Sequence, residues 1–384
     1  MRATGHIREK STKRGKAYQI VIEFPTQSGK RNRKFKTVYC TKKKAQKILN
    51  DMIYEYEHGT YVEPSKTTIE KFLKEWMETY VIPNKSPTTY ENYQKIINGY
   101  ICPILGNYTL EDLTPIMVQK WVNSLANGDY IDARKPLKPQ TVKNIFLILH
   151  SSMEKAIELK LITESPCTYT TLSKLVKYNA QIFDEEELQK FLTALKGTEL
   201  ETPLLIILSC GLRRGEALAL KWSSIDWQNK KIHITESIVQ TPSKKILTKE
   251  PKSKAGIRSI VMPNQLYEYL KLEYERRKLL DKHFFEDDYI IHAKSSKQPC
   301  KPDSLSKKFK CFLKRNNLKD IRLHDLRHEC ASLLLKSGVN PRVAKDILEH
   351  STVSITLDTY SHVLKSVEND AAEKLNQQLF GNKK

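Results

Sequence analysis

The spacing of apolar positions changes period along the chain. In "AYQIVIEF", Tyr18, Ile20, Ile22 and Phe24 fall on every second position, the period of a half-buried strand. "TQSGKRNR" then supplies a polar turn and "KFKTVYC" a further strand, so residues 17–40 are predicted to form a small sheet. From Thr41 the period lengthens. Ala45, Ile48, Leu49, Met52, Ile53 and Tyr56 recur as one face of a helix, with Gly59 as its stop. Beyond "HGTYVEPSKTT", which reads as a linker, residues 67–172 keep helical spacing throughout. "TTIEKFLKEWMETY" carries Ile69, Phe72, Leu73, Trp76, Met77 and Tyr80 as one wide stripe. Ser86-Pro87 and Thr114-Pro115 are helix starts, and "KPQTVKNIFLILHSSMEKAIELKLI" predicts one long apolar helix. The aromatic residues of this stretch sit at helical spacing, which assigns them to a core rather than to base stacking.

"TYTTLSKLVKYNAQ" reads as a second linker. After it, Asp184 and Glu187 have the spacing of a capping box, and Phe183 and Leu188 that of a hydrophobic staple. An apolar helix at "TPLLIILSC", the turn "GLRRGE", short strands near "KKIHI", "KKILT" and "IRSIVM", and further helices complete the chain. The expected fold is therefore multidomain. Residues 1–62 form a small N-terminal α+β domain of sheet plus helix, and residues 67–172 an all-α domain. Residues 181–384 form a mostly α domain with a small antiparallel sheet.

Charge changes this picture. The 384 residues carry a net charge of +21, and residues 1–66 hold 16 Lys and Arg against 6 Asp and Glu. A basic segment on a basic chain points to a polyanion, with nucleic acid first and an anionic membrane surface second. Arg31, Arg33, Lys34 and Lys36, on the outer face of the predicted sheet, are the candidate groove contacts. No apolar run approaches the ~18 residues of a membrane span, and no apolar segment follows the basic start, so neither a membrane helix nor a secretory signal is expected. The cysteines number seven and form no CxxC, which argues against a disulfide framework or a zinc ribbon and for reduced thiols in the cytosol.

The densest chemistry is "RLHDLRHE", residues 322–329. His324 and Arg327, three apart, project from one face of a helix ending at Gly338. His328 lies four beyond His324 and raises a metal alternative; zinc needs three or four ligands, and the fixed charge of Arg327 opposes a cation. In "CGLRRGEALALKW", Arg213 or Arg214 sits at a turn after an apolar helix, where a guanidinium is pre-organised for two phosphate oxygens and Glu216 can fix its rotamer. "PKSKAGIRSIV" resembles a hairpin tip presenting Lys252, Lys254 and Arg258 to a groove, or simply to water. In "ILEHSTVSITLDTYSHV", His350 ends a helix opened by Asn340-Pro341, and Tyr360 rides on a short helix capped by Ser354. A phenol with a pKa near 10 is a useful nucleophile only where cations or donors favour the reacting charge.

Taken together, the order Arg, hairpin Lys, HxxR, His, Tyr resembles the tyrosine recombinase (phage integrase) family. "GLRRGE", "SKAGIRSI", "HDLRHECASLLLKSGVNPRVAKDILEHSTVSITLDTYSHV" and "KLITESP" carry the likeness over residues 67–370, and the N-terminal sheet-plus-helix resembles the arm-binding domain of mobile-element integrases. One position departs: Glu349 stands where the family usually has Gly before the second histidine. On a helix it would not share a face with His350, so it is expected to point away. The resemblance implies that Tyr360 attacks the scissile phosphate to form a 3′-phosphotyrosyl link, with Arg213 and Arg327 clamping its oxygens. Lys254 is then the general acid, Lys252 a phosphate contact, His324 an aid to removal of the phenol proton, and His350 a further donor. No carboxylate cluster for Mg²⁺ and no GK[ST] loop for ATP occurs, so no cofactor is expected.

The implied partners are double-stranded DNA with core-type and arm-type sites, a homo-tetramer on that DNA, and an excisionase or host DNA-bending protein, with no membrane. The implied setting is the nucleoid in the cytoplasm of a bacterial host, and the implied role is integration and excision of a phage or integrative element. The tail "NDAAEKLNQQLF" gathers Ala371, Ala372, Leu375, Leu379 and Phe380 near one helical face, and in this family such a tail docks on a neighbouring protomer. A DNA-binding regulator accounts for the charge but not for the Arg-Lys-HxxR-His-Tyr set. A type IB topoisomerase shares the chemistry but not the arm-like domain. Of these readings, only the recombinase and the topoisomerase predict a covalent protein–DNA adduct.

Overall fold

The computed structural model describes residues 3–12, 15–24, 32–58, 66–130, 135–175, 180–250, 256–293, 296–349, 375–376 and 379–381. The chain divides into two compact units. One comprises Met1–Ser86 with Tyr93–Leu175, and the other Pro87–Asn92 with Val176–Lys384.

In the first unit, β1 (Thr4–Thr12), β2 (Gly15–Phe24) and β3 (Asn32–Val38) form an antiparallel meander, followed by α1 (Lys42–Glu57). β2 and β3 fall where the alternation placed them. β1 is an addition, since its charged sequence offers Ile7 as its one large apolar side chain and so lacks the period-2 signal. Thr41 caps α1 by accepting from Lys44 N, and Leu49 packs with Ile20, Ile22 and Phe24. Register then sorts the charges. Ile20 pairs with Lys36 and Ile22 with Lys34, so these lysines share the face that α1 covers. The open face carries Arg8 and Lys10, paired with Gln19 and Ala17, together with Arg33, paired with Glu23. Arg33 also bonds Glu23 through Nε at 3.2 Å. Of the expected outer-face residues, Arg33 is thus outward, Lys34 and Lys36 stand on the opposite face, and Arg31 lies outside the described residues.

Helices follow: α2 (Ile69–Trp76), α3 (Pro87–Ile96, whose first six residues count with the second unit), α4 (Cys102–Leu105), α5 (Pro115–Asn127) and α6 (Pro139–Glu158). Wider π turns at Met77–Val81 and Ile97–Ile101 extend α2 and α3. Proline opens α3, α5 and α6 at a position whose N–H has no helical partner to lose. Ile69, Phe72, Leu73, Trp76, Trp121, Ile145, Leu149 and Met153 are all buried, as the spacing requires of a core.

The second unit runs α7 (Glu185–Leu195), α8 (Glu201–Cys210), α9 (Arg214–Ala219), β4 (Ile225–Asp226), β5 (Lys231–Ile234), β6 (Ser237–Gln240), β7 (Ile246–Lys249), β8 (Arg258–Val261), α10 (Asn264–Leu280), α11 (Pro302–Arg315), α12 (Asp325–Lys336) and α13 (Pro341–Leu348). The capping box at α7 is present in both directions, with Glu187 N donating to Asp184 Oδ1 at 2.8 Å and Asp184 N to Glu187 Oε2 at 2.9 Å. In place of one small sheet there are two. β4, β5 and β8 form the first, and β6 pairs with β7 in a separate hairpin. The core gathers Phe191, Leu204, Trp222, Ile232, Phe309 and Leu326. No helix among the described residues is long and apolar enough to cross a membrane.

Candidate active site

Two glycines of "GLRRGE" set the geometry. Gly211 ends α8 in the left-handed region at φ +61°, and a Cβ there would run into Leu348 Cδ2 and approach Cys330 Sγ to 3.3 Å. Gly215 lets α9 lie directly on β6, since a Cβ would come within 2.5 Å of Ile238 O. Between them Arg213 is the N-cap residue of α9 in an extended conformation. Its side chain turns back onto the helix, where Nη1 donates to Glu216 Oε1 at 2.7 Å and its backbone N to Glu216 Oε2 at 3.0 Å. Arg214 diverges, donating to Pro302 O at 3.1 Å and Ser306 Oγ at 2.7 Å on α11. Of the two arginines left open by the sequence, Arg213 thus lies in the cluster and Arg214 against α11.

α12 brings in the second arginine. Arg327, 2% exposed, donates through Nη1 to Gly211 O at 2.9 Å and through Nη2 to Leu348 O. Arg213 Nη2 donates to the next carbonyl, Glu349 O, at 3.1 Å. Two guanidinium groups more than a hundred residues apart in sequence thus bind consecutive carbonyls at the end of α13. Burial, then the neighbouring Arg213, pulls the Arg327 pKa down to about 10, which leaves it charged at neutral pH. For Arg213 the same burial is outweighed by Glu216 and Glu349, and its pKa is raised. Glu216 loses water too, yet its bonds to Arg258 and Arg213 hold it below the usual carboxylate range.

Arg258 is a third member. It was expected at an exposed hairpin tip. Instead it lies on β8 with a side chain 10% exposed, donating from Nη2 to Glu216 Oε2 at 2.8 Å and from Nη1 to Glu349 Oε2 at 3.1 Å. Its buried Nε has no partner among the described residues. The signal was present in "IRSIVM", where Arg258 alternates with the buried Ile260 and Met262 and so shares their face. Glu349 corrects a second expectation. It ends α13 with φ +51° and ψ 47°, and its carboxylate accepts from Arg213 Nη1 as well as from Arg258. It points into the cluster rather than away from it.

The charges of "RLHDLRHE" divide by role. Asp325, fully buried, accepts from Arg322 N at 2.8 Å and from the Arg322 guanidinium, fixing the first turn of α12. Glu329 accepts from Phe183 N at 2.8 Å and ties α12 to the segment before α7. His324, at the N-terminus of α12, keeps an exposed edge. Loss of surrounding water, then the cations Arg327, Arg322 and Arg213, depress its pKa, with Asp325 opposing. His328 packs edge-on against it at 5.1 Å, and burial, then His324, pushes its pKa down to about 4. Both imidazoles are therefore neutral in the folded protein at pH 7. No cluster of three or more His, Cys, Asp and Glu among the described residues has the arrangement to hold a metal ion.

A histidine forced to stay neutral favours folding above its ordinary pKa and disfavours it below. The urea midpoint is expected to fall as pH drops from about 6.5 towards 4, and His328→Gln should flatten that fall. An unchanged pH profile in the variant would remove His328 as the source.

Lys252, Lys254, His350 and Tyr360 lie outside the described residues, as do Ala371 and Ala372 of the tail. Leu375, Leu379 and Phe380 are exposed.

Comparison with known proteins points in one direction. Residues 181–366 match the phage integrase family, and residues 68–126 match the phage integrase N-terminal SAM-like domain. The chain is 27% identical over 379 residues to the ICEBs1 integrase of Bacillus subtilis, covering 94% of this chain and 97% of that protein. It is 26% identical over 359 residues to a tyrosine recombinase XerC-like protein of Caldanaerobacter subterraneus subsp. tengcongensis, covering 88% and 90%. Its fold resembles that of the Tn1549 transposon integrase in complex with transposon right end DNA. The TM-score is 0.65 at 20% identity, with 81% of this chain and 99% of that one covered.

Proposed function

The chain belongs to the phage integrase family of tyrosine recombinases, and on that premise we propose how its residues cut and rejoin DNA as a site-specific recombinase. The observation that carries the proposal is the meeting of Arg213, Arg258 and Arg327 at the end of α13, with neutral His324 on the adjoining turn. Three guanidinium groups present planar forks that suit the non-bridging oxygens of one phosphodiester.

Tyr360 supplies the phenol oxygen. It attacks the scissile phosphorus, the bond to the 5′ oxygen breaks, and a 3′-phosphotyrosyl ester forms. The phenol proton leaves towards His324, whose imidazole is neutral and so able to accept it. Lys254 gives a proton to the departing 5′ oxygen, Lys252 contacts a phosphate, and His350 donates to a non-bridging oxygen. Charge grows on the phosphoryl oxygens as the bonds exchange, and Arg213 and Arg327, oriented by Glu216 and by backbone carbonyls, are placed to meet it. The bond energy stays in the tyrosyl ester. Attack by another 5′ hydroxyl therefore rejoins the strand without ATP.

Four protomers acting in pairs on two core sites, in the cytoplasm of a bacterial host, would exchange the strands. An excisionase or a host DNA-bending protein would set the direction, and the exposed Leu375, Leu379 and Phe380 supply apolar contacts between protomers. The test is a nicked core-site duplex from the ends of the protein's own element. Cleavage next to the nick lets the short 5′ product diffuse away, so a covalent adduct stable to detergent should accumulate with chelator present and ATP absent. No adduct would sink the reading.

The open face of the N-terminal sheet is proposed to bind arm-type DNA through Arg8, Lys10 and Arg33. Each phosphate contact contributes about 0.9 to the slope of log K against log salt. Alanine at all three positions should lower that slope by up to about 2.7 on arm-site DNA, while adduct formation on the core site survives. An unchanged slope would count against a DNA role for this face.

A further inference from the structure

Glu349 holds an unusual position. Its carboxylate Oε2 accepts from Arg213 Nη1 and, at 3.1 Å, from Arg258 Nη1, whose side chains are 41% and 10% exposed where Arg327 is buried. A carboxylate and a phosphodiester make the same demand on a guanidinium: two oxygens sharing one negative charge. Glu216 already gives the same two arginines a carboxylate, at 2.7 and 2.8 Å, which is enough to fix their rotamers. Glu349 is therefore a second anion on donors that are already oriented.

The two carboxylates differ in how firmly they are held. Glu216 sits inside α9 with a side chain 7% exposed, whereas Glu349 is 20% exposed and ends α13 in the left-handed region. That conformation costs a glycine nothing and strains a residue with a Cβ. A strained terminal residue held by its ion pairs is one that a competing anion can release. The charges facing it are Arg213 at the N-cap of α9, Arg258 on β8, Glu216 on α9 and Arg327 on α12.

We infer that Glu349 is a built-in stand-in for the scissile phosphate: its carboxylate occupies the Arg213–Arg258 donors in the free protein and must swing out before DNA is gripped. This rests on the arginine cluster being the phosphate site proposed above. Glu349 thereby sets a threshold for engagement. A core site that brings enough contacts elsewhere displaces it, and weak or non-cognate DNA does not.

The experiment uses the full chain with Tyr360→Phe, so that binding is read without cleavage. Two core-site duplexes are compared, one natural and one with a neutral methylphosphonate at the scissile position. Glu349→Gln keeps the size and the backbone strain but removes the charge. Glu349→Gly removes both. Each should bind the natural duplex about 10-fold more tightly than the parent, since one charge-assisted contact need no longer be broken. The gain should vanish on the methylphosphonate duplex.

An equal gain on both duplexes would show a general field effect and overturn the inference. Weaker binding would overturn it by making Glu349 a residue that positions the arginines. Loss of fold in both variants, read by thermal melting, would make it a structural requirement and overturn it as well. The nicked-duplex adduct with Tyr360 intact is scored separately. Its absence removes the phosphate-site reading itself, whatever Glu349 does.

Discussion

Tyr360→Phe is expected to leave a nicked core-site duplex uncut, with no covalent adduct and a fall in cleavage on the order of 10⁴-fold or more. The phenyl ring has no oxygen to join to phosphorus, and water cannot replace it without giving a free 3′ phosphate in place of a protein–DNA ester. Binding should change little, because the hydrogen bonds that orient the arginine cluster run among α8, α9, α12, β8 and the end of α13. Adduct formation by the variant would place the nucleophile on another tyrosine. Loss of binding along with cleavage would make the side chain a recognition element.

The second large effect belongs to the two lysines before β8. Lys254 and Lys252 compete for the role of general acid, and Lys254 is favoured by its spacing from Gly256 and Arg258. A 5′ alkoxide is a poor leaving group unless it is protonated as it departs, and positioned acids typically contribute ~10²–10⁴-fold. Lys254→Ala should slow adduct formation by about that range and leave affinity nearly unchanged. With sulfur in place of the bridging 5′ oxygen, the leaving group is a thiolate whose conjugate acid has a pKa near 8.5, so no proton is needed. Cleavage by Lys254→Ala should then recover towards the parent rate, and Lys252→Ala should show no such rescue. Rescue of Lys252→Ala alone would move the role of the acid to Lys252. Rescue of neither would shift the role to a histidine.

Much of this arrangement was legible because local rules and tertiary packing agree. The helices of residues 67–172 announce themselves by stripes such as Ile69, Phe72, Leu73 and Trp76, and all of those side chains are buried. Asp184 and Glu187 form the capping box that their spacing required. Arg213 and Arg327 were chosen from short motifs, and the fold brings them to neighbouring carbonyls.

What was not legible has identifiable physical causes. β1 is an edge strand whose inward face carries Gly5 and Glu9 beside the single apolar Ile7, so its period is hidden. Arg258 was read as part of a turn, although it shares its strand face with buried Ile260. Glu349 was misread because helical direction was extended one residue too far. α13 stops at Leu348, and the left-handed step that follows turns the next side chain back onto the cluster.

The way Arg327 is balanced also bears on rate. Its two bonds described here go to carbonyls at the ends of α8 and α13, Gly211 O and Leu348 O, and none goes to a carboxylate. Such carbonyls lack helical partners and carry the negative end of each helix macrodipole, equivalent to about half an elementary charge. Two helix termini aimed at one guanidinium thus set backbone dipoles, rather than an ion, against its charge. Dipoles of this kind do not dissociate and need not be re-solvated when a phosphate arrives. On the proposed mechanism Arg213 and Arg258 exchange an ionic partner for the substrate, whereas Arg327 makes no ion pair with a carboxylate among the described residues. In the reaction proposed above, the reorganisation accompanying charge build-up on the phosphoryl oxygens is accordingly smallest at Arg327, the fixed electrostatic reference of the site.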